Sequence, residues 1–253
     1  MNEQTVVFLK NWFEQYAKTF YSQDEDVQLH VRLKEEHTWR VVEHATAIGK
    51  SLGLLPEDLL LAETTALFHD VGRFRQYHTY HTFNDARSTN HAALGLEVLK
   101  ETQVLKQAGL SDQEIALVEK AVLYHNQRYL PEKENPKALL FAKILRDADK
   151  LDIFHIIVEE EMPRSPELRS GDAPSSKVIQ DILAGKMARF EDVKTPEDQM
   201  LFRLSWLYNI YFRYTFMYIL EQQYLEKMFA ILPASLELQP VYEHLRKYAD
   251  KQT

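Results

Sequence analysis

Apolar residues recur three and four positions apart along almost the whole chain, and the strict alternation typical of half-buried strands is almost absent. This spacing predicts amphipathic helices. The scarcity of glycine agrees with it, since glycine weakens a helix interior and supplies only 7 of 253 residues. Because 45% of the residues are apolar, a sizeable core can form. The sequence therefore predicts an all-α fold, a helical bundle.

Several helix boundaries carry recognisable signals. Ser111 and Glu114 form a capping-box pattern, Pro56 occupies a first-turn position, and Thr195 precedes Pro196 at a further helix start. The periodicity predicts helices at about 3–21, 32–53, 56–70, 89–108, 111–126, 136–157, 175–186, 196–232 and 238–251.

Two segments are predicted to be non-helical, 71–88 and the proline-rich 162–174. The second separates a front region from a helical C-terminal region rich in aromatic residues. We therefore expect two parts, 1–160 as the main helical core and 161–253 as a helical extension packed on it. The aromatic run "FRLSWLYNIYFRYTFMYIL" has helical spacing, which favours core packing or a homodimer interface.

Composition excludes several classes of protein. There is no cysteine, so disulfides and thiolate ligands are excluded and a cytoplasmic location is expected. No apolar stretch reaches the roughly 20 residues of a membrane span, and the N-terminus lacks the pattern of a signal peptide. A net charge of −8 argues against a long nucleic acid as partner, although it leaves room for a small basic pocket.

Out-of-place polar residues collect in five predicted helical elements. They are His37 near a helix start, the pair His69–Asp70 and His125 at helix ends, His91 at a helix start, and the aspartates of "RDADKLD" within an apolar helix. Imidazole and carboxylate together suit one or two divalent ions such as Mn, Fe, Co, Ni, Zn or Mg, and a bundle core can bring such ligands together. His91 and His125 could instead cap helices or lie behind the ligands.

At these residues the sequence resembles the HD-domain metal-dependent phosphohydrolase superfamily. The resemblance rests on "HTWRV" at His37, "ALFHDVGR" at His69–Asp70 and "RDADKLD" at Asp149, and it extends over residues ~30–160. A bacterial subgroup of the superfamily has stretches similar to "HTFNDARSTNHAALG" and "LSWLYNIYF". His91 and His125 resemble the additional histidines that the two-metal branch of the superfamily carries.

The resemblance implies a set of metal ligands. A first ion would take His37, His69, Asp70 and Asp149, and a second would take Asp70, His91 and His125, with Asp70 bridging the two. Asp149 is preferred because it precedes a Lys-Leu pair, and Asp147 and Asp152 remain as alternatives.

The implied activity is hydrolysis of a phosphomonoester or phosphodiester by metal-activated water. The substrate would be a small phosphorylated molecule such as a nucleotide. Asp70, Lys150 and Arg73 are the predicted catalytic residues. The predicted substrate-binding residues are Arg73, Arg75, Arg87, Arg128, Lys150 and Tyr77, with segment 71–88 as a substrate-facing loop.

Two other functions remain open at this stage. HD-fold diiron oxygenases use similar histidine and aspartate ligands. A regulatory module could also retain the metal or bind a nucleotide without turnover. The sequence identifies neither the substrate nor the metal.

Overall fold

The computed structural model describes residues 1–161, 173–232 and 238–253. Helices and turns make up these ranges, which contain no strand, so the all-α prediction is confirmed. None of the described helices is both long and apolar enough to cross a membrane. The α-helices are α1 (Glu3–Lys18), α2 (Glu25–Ser51), α3 (Pro56–Phe68), α4 (Val71–Tyr80), α5 (His91–Thr102), α6 (Val104–Gln107), α7 (Asp112–Tyr124), α8 (Pro136–His155), α9 (Ser176–Leu183), α10 (Pro196–Leu204), α11 (Arg213–Glu221), α12 (Tyr224–Phe229) and α13 (Gln239–Asp250).

Shorter helical turns connect some of these helices. They are the 3₁₀ helices Asp85–Arg87, Phe190–Asp192 and Ser205–Asn209 and the π-helical turn Ile156–Glu161. The chain divides into two compact units, Met1–Asp149 and Lys150–Thr253. The parts expected from the sequence, 1–160 and 161–253, stay a prediction, and residues 162–172 of the predicted break lie outside the described residues.

Three predicted helix starts are confirmed, whereas the start predicted at about 32 was wrong, because α2 begins at Glu25 after the cap Asp24. Ser111 and Glu114 form a reciprocal capping box at α7, and Pro56 lies in the first turn of α3. Thr195 caps α10, where Asp198 completes a second capping box. These pairs satisfy backbone N–H groups that have no partner within the helix, which explains why local sequence locates these ends well.

The prediction that segment 71–88 is non-helical was wrong, because α4 occupies its first ten residues, Val71–Tyr80. The buried face of α4 includes Phe74, Gln76 and Tyr77, all within the segment that was predicted to be a loop. The Gln76 amide is fully buried and donates hydrogen bonds to Ser88 Oγ and the Thr89 carbonyl, both at 2.9 Å. The helix ends at His81, whose left-handed backbone (φ 51°) stops it.

Gly72 allows α4 to lie directly against α5. A Cβ at this position would come within 2.3 Å of the His91 carbonyl oxygen and 2.5 Å of the Gly95 nitrogen. Both atoms belong to the backbone and cannot turn aside. Glycine at 72 therefore places the start of α5, with His91, next to the segment that follows His69 and Asp70.

The single helix predicted at 196–232 was also wrong. The chain forms α10, a 3₁₀ turn, α11 and α12, with extended backbone at Ile210 and Phe212 and a left-handed residue at Gln223 (φ 56°). The breaks turn apolar residues from several directions into the core of the second unit, where Leu204, Leu207 and Phe216 are buried. A straight helix would have left part of this aromatic-rich run facing water.

Candidate metal centre

The structure brings together all six residues that were predicted as ligands. His37 lies in α2, His69 and Asp70 follow α3, His91 begins α5, and His125 follows α7. Asp149 lies in α8. The four histidines and Asp70 are buried, with at most 7% of any of them exposed, whereas the Asp149 side chain is 18% exposed.

One group of side chains surrounds His37 and His69. Their Nε2 atoms are 3.2 Å apart, and Asp70 Oδ2 lies 3.5 Å from the first and 3.6 Å from the second. Asp149 Oδ1 approaches the same two nitrogens at 3.3 and 3.8 Å. Asp149 is thus the aspartate of "RDADKLD" that faces the two histidines.

A second group surrounds His91 and His125. Their Nε2 atoms are 3.0 Å apart, and Asp70 Oδ1 lies 3.4 Å from the first and 3.8 Å from the second. Asp70 therefore directs one carboxylate oxygen towards each pair of histidines. The ligand atoms of His37, His69 and Asp70 lie within 4.8 Å of one another, and so do those of Asp70, His91 and His125, so each set of three is compact enough for one ion.

In three of the histidines, the hydrogen bond of Nδ1 shows which ring nitrogen carries the proton. Nδ1 of His69 donates to the Ala66 carbonyl at 2.7 Å, and Nδ1 of His125 donates to the Val122 carbonyl at 2.6 Å. Nδ1 of His91 donates to Asp85 Oδ2 at 2.7 Å. Because carbonyl and carboxylate oxygens only accept, each neutral ring carries its proton on Nδ1 and directs the Nε2 lone pair into the centre.

Burial favours the neutral form of His69 and His125, whereas nearby positive groups keep Asp70 ionised despite its burial. Burial lowers the pKa of His69, and burial together with the charges of His91 and His69 lowers the pKa of His125 to about 3. Burial acts to raise the pKa of Asp70, but Lys34 and the other surrounding positive groups outweigh it and hold that pKa well below the usual range. Neutral imidazole and ionised carboxylate are the forms that bind metal ions.

The donor set fits divalent cations. In the neutral forms of His91 and His125, two Nε2 lone pairs face each other across 3.0 Å and also face a carboxylate oxygen. Acceptors gathered in this way are stabilised only by a positive charge among them. The same holds for His69 opposite Asp70. His37, His69, Asp70 and Asp149 would hold one ion, and Asp70, His91 and His125 a second.

Asp85 was not among the predicted residues, although it contacts the centre closely. Besides His91, its carboxylate accepts hydrogen bonds from Arg73 at 3.0 Å and from the Gln76 amide at 2.9 Å. Asn126 lies 3.4 Å from Oδ2. These hydrogen bonds outweigh the opposing effect of burial and hold the pKa of Asp85 far below its usual range. Asp85 lies in a turn with no periodicity, so no sequence pattern indicated its position.

Lys34 and Arg146 were also missed. The Lys34 ammonium group lies 2.8 Å from Asp70 Oδ2, one helical turn before His37. Arg146 is buried and donates to the carbonyls of Tyr124 (2.9 Å) and His125 (3.2 Å) at the end of α7. An arginine three positions before Asp149 in an apolar helix was a signal that could have been recognised.

The predicted substrate-binding residues lie in varied surroundings, and their roles stay predictions. Arg73 contacts Asp70 Oδ1 at 3.4 Å, Asp85, and the Phe83 carbonyl at 2.6 Å. Arg75 pairs with Glu101 at 2.6 Å. Tyr77 is buried and donates to Asp26 Oδ2 at 2.5 Å.

The three remaining basic residues lie in different elements. Arg87 is exposed at the end of the 3₁₀ turn that begins at Asp85. Arg128 donates to the Tyr129 hydroxyl at 3.1 Å. Lys150, which is 8% exposed, is the first residue of the second unit and follows Asp149 in α8.

The described part of the chain is helical, and two histidine pairs share one aspartate, Asp70, in an arrangement that could hold metal ions. The comparison with protein families agrees: the HD domain model matches residues 35–153, and this part of the chain is an HD domain. The match confirms the resemblance to the HD-domain superfamily, whose members are usually metal-dependent hydrolases, while the resemblance to a bacterial subgroup stays a prediction. No curated protein and no solved structure matches the chain.

Proposed function

We propose that the protein is a metal-dependent phosphohydrolase that cleaves a phosphomonoester or phosphodiester bond of a nucleotide or another small phosphorylated metabolite. The observation that carries the proposal is Asp70, whose two oxygens face two different histidine pairs, at 3.5 and 3.6 Å on one side and 3.4 and 3.8 Å on the other. A carboxylate shared in this way suits a pair of cations. Divalent cations, when bound, lower the pKa of water and neutralise charge that develops on a phosphoryl group.

The protein's own residues prepare the site for this chemistry. Backbone carbonyls hold the His69 and His125 rings with Nε2 facing inwards, so these ligands need no reorientation. Phe68, next to His69 in the chain, and Val122, three residues before His125, are fully buried. We infer that they limit the access of bulk water at the ends of α3 and α7. The side chains of Asp149 and Lys34, at 18% and 19% exposure, mark the side that solvent and a substrate can reach.

Basic residues support an anionic substrate. Lys34 places an ammonium group at this accessible side, where a substrate phosphate would gain a charge-assisted contact. We infer a different role for Arg73. Its guanidinium group already donates hydrogen bonds to Asp85, Gln76 and the Phe83 carbonyl. It holds Asp70 and Asp85 in place, while Lys34 is the better-placed group for a phosphate.

The test is turnover by purified protein with Mn²⁺, Co²⁺ or Fe²⁺ on nucleoside mono-, di- and triphosphates, cyclic mononucleotides and dinucleotides. Asp70→Asn should abolish cation binding and lower turnover at least about 100-fold, since charge stabilisation at a reacting centre is worth this much. Asp112→Asn, the same change at an exposed helix start, is the matched control and should retain activity.

The outcomes separate the competing functions. A protein that binds no divalent cation would rule the proposal out. Bound iron with oxygen uptake and no hydrolysis would indicate an oxygenase. Binding of cation and nucleotide without turnover would indicate a regulatory module.

A further inference from the structure

Asp85 distinguishes one histidine pair from the other. His69 and His125 each donate Nδ1–H to a backbone carbonyl three residues earlier, whereas His91 donates to the carboxylate of Asp85. A carboxylate partner makes an imidazole a stronger electron donor than a carbonyl partner does. Of these three histidines, His91 is the one whose Nδ1 partner is a side chain, so the cation affinity of the His91–His125 group should depend on Asp85.

The surroundings of Asp85 hold it as an ionised acceptor. Its Oδ1 accepts from Arg73 (3.0 Å) and the Gln76 amide (2.9 Å), while Oδ2 accepts from His91 at 2.7 Å and from the Asn126 amide at a longer 3.4 Å. Arg73 also contacts Asp70 Oδ1 at 3.4 Å, the oxygen that faces His91 and His125. Asp85 thus connects to the second group through His91 and through Arg73, while its side chain remains 31% exposed.

We propose that Asp85 is a positioning residue for a second cation: its carboxylate fixes the His91 ring with Nε2 towards Asp70 and raises the affinity of the Asp70–His91–His125 group selectively. The inference rests on the proposed function, because it requires that this group binds a cation. It goes further by assigning unequal control to the two groups. The first group, around His37 and His69, should not depend on Asp85.

The experiment is Mn²⁺ titration of the full-length, chelator-treated protein by calorimetry, with bound Mn counted by elemental analysis. Wild type should bind two Mn²⁺ per chain. Asp85→Asn should weaken one equivalent about 10- to 100-fold and leave the other unchanged, which is the usual effect of removing a residue behind a metal ligand. Asp85→Glu retains the charge and should restore part of the lost affinity.

Two controls separate positioning from a merely structural role. Asp112→Asn makes the same chemical change at an exposed site and should leave both equivalents unaffected. Ser88→Ala loosens the same turn by removing the hydrogen bonds of the Ser88 hydroxyl with Gln76 and with the Asn84 carbonyl. It leaves the side-chain contacts of Asp85 in place and should weaken the second equivalent much less than Asp85→Asn.

Each result has a distinct meaning. If folded Asp85→Asn binds two Mn²⁺ with wild-type affinity, the role of Asp85 is overturned while the proposed function stands. Equal losses in Ser88→Ala and Asp85→Asn would also overturn it, because turn structure would then explain the effect. If the wild-type protein binds neither Mn²⁺ nor any other divalent ion, the proposed function itself is overturned.

Discussion

Asp70 and Asp198 are both buried carboxylates with lowered pKa values, one in each unit, yet their surroundings are opposite. Asp198 accepts hydrogen bonds from the Ser175 hydroxyl at 2.6 Å and from the backbone N–H groups of Ser175, Lys194 and Thr195 at 2.7–3.2 Å. Its neighbours are neutral donors.

Asp70 instead faces imidazole nitrogens, and on His69, His91 and His125 the proton is on the far side of the ring. Lys34 donates to Asp70 Oδ2 at 2.8 Å, but the Nε2 lone pairs of these three histidines still face other acceptors, and only added positive charge satisfies them. Neither burial nor a low pKa therefore identifies a functional acid. The informative difference is whether the surrounding groups donate protons or compete for them.

The largest effect on stability is expected at Arg146, which holds the end of α7 next to His125. Arg146→Met would leave the carbonyls of Tyr124 and His125 without their buried donor and should lower the free energy of unfolding by about 3 kcal/mol or more. Urea denaturation of the metal-free protein measures it. Such a loss would show that the stability of the first unit depends on a buried charged residue that is not itself a predicted metal ligand.

The control for that change lies in the same helix. Lys137 is 48% exposed and pairs with Asp58 at 2.7 Å, so Lys137→Met should cost less than about 1 kcal/mol. Equal losses in the two variants would mean that Arg146 has no special role at the site.

A smaller effect is expected at Gly72. Gly72→Ala would press a methyl group onto the backbone at His91 and Gly95 and should cost roughly 1–3 kcal/mol while weakening cation binding by the second group. Thermal unfolding and Mn²⁺ titration measure both effects. Gly95→Ala is matched, because its Cβ would meet its nearest atom at 3.4 Å, an ordinary contact. If Gly95→Ala is as harmful as Gly72→Ala, the close approach of α4 and α5 is not the cause.

The smallest effect is expected at Asp198, in the second unit. Asp198→Asn should remove about 1 kcal/mol at pH 7 and leave Mn²⁺ binding unchanged, since this carboxylate completes a helix cap. The pKa of Asp198 is lower in the folded than in the unfolded state, where it is about 3.9, so its contribution is complete above that value.

The contribution of Asp198 is lost as the pH falls through its folded pKa. The difference in unfolding free energy between wild type and Asp198→Asn should therefore narrow below about pH 4. Urea denaturation at several pH values tests this. A difference that widens in acid would contradict the described role of the carboxylate.

Local sequence predicted the elements whose causes are local. The capping boxes at Ser111 and Thr195 satisfy helix ends within four residues, so both starts were found. His69 and His125 share a local arrangement, in which Nδ1 donates to the carbonyl three residues before, and the sequences "ALFH" and "VLYH" resemble each other accordingly. The positions of these ligands at helix ends were therefore predictable.

Distant contacts decided the remaining features. The helix α4 and the breaks within 196–232 depend on where Gln76 and the aromatic residues find buried partners, which helical periodicity does not record. Asp85 meets His91 because of the path of a turn, and Lys34 and Arg146 act across helices.

The sequence by itself determined an all-helical chain and the residue types of a metal centre, because periodicity and short motifs are properties of neighbouring residues. Helical spacing alone could not separate Asp149 from Asp152, since residues three apart lie on nearly the same side of a helix, and the preference for Asp149 over Asp147 and Asp152 came from the family resemblance. Only the tertiary structure set Asp149 against His37 and His69 and divided the two oxygens of Asp70 between two histidine pairs. The reason is physical: a metal centre is defined by distances between side chains on different helices, and those distances exist only once the helices have packed.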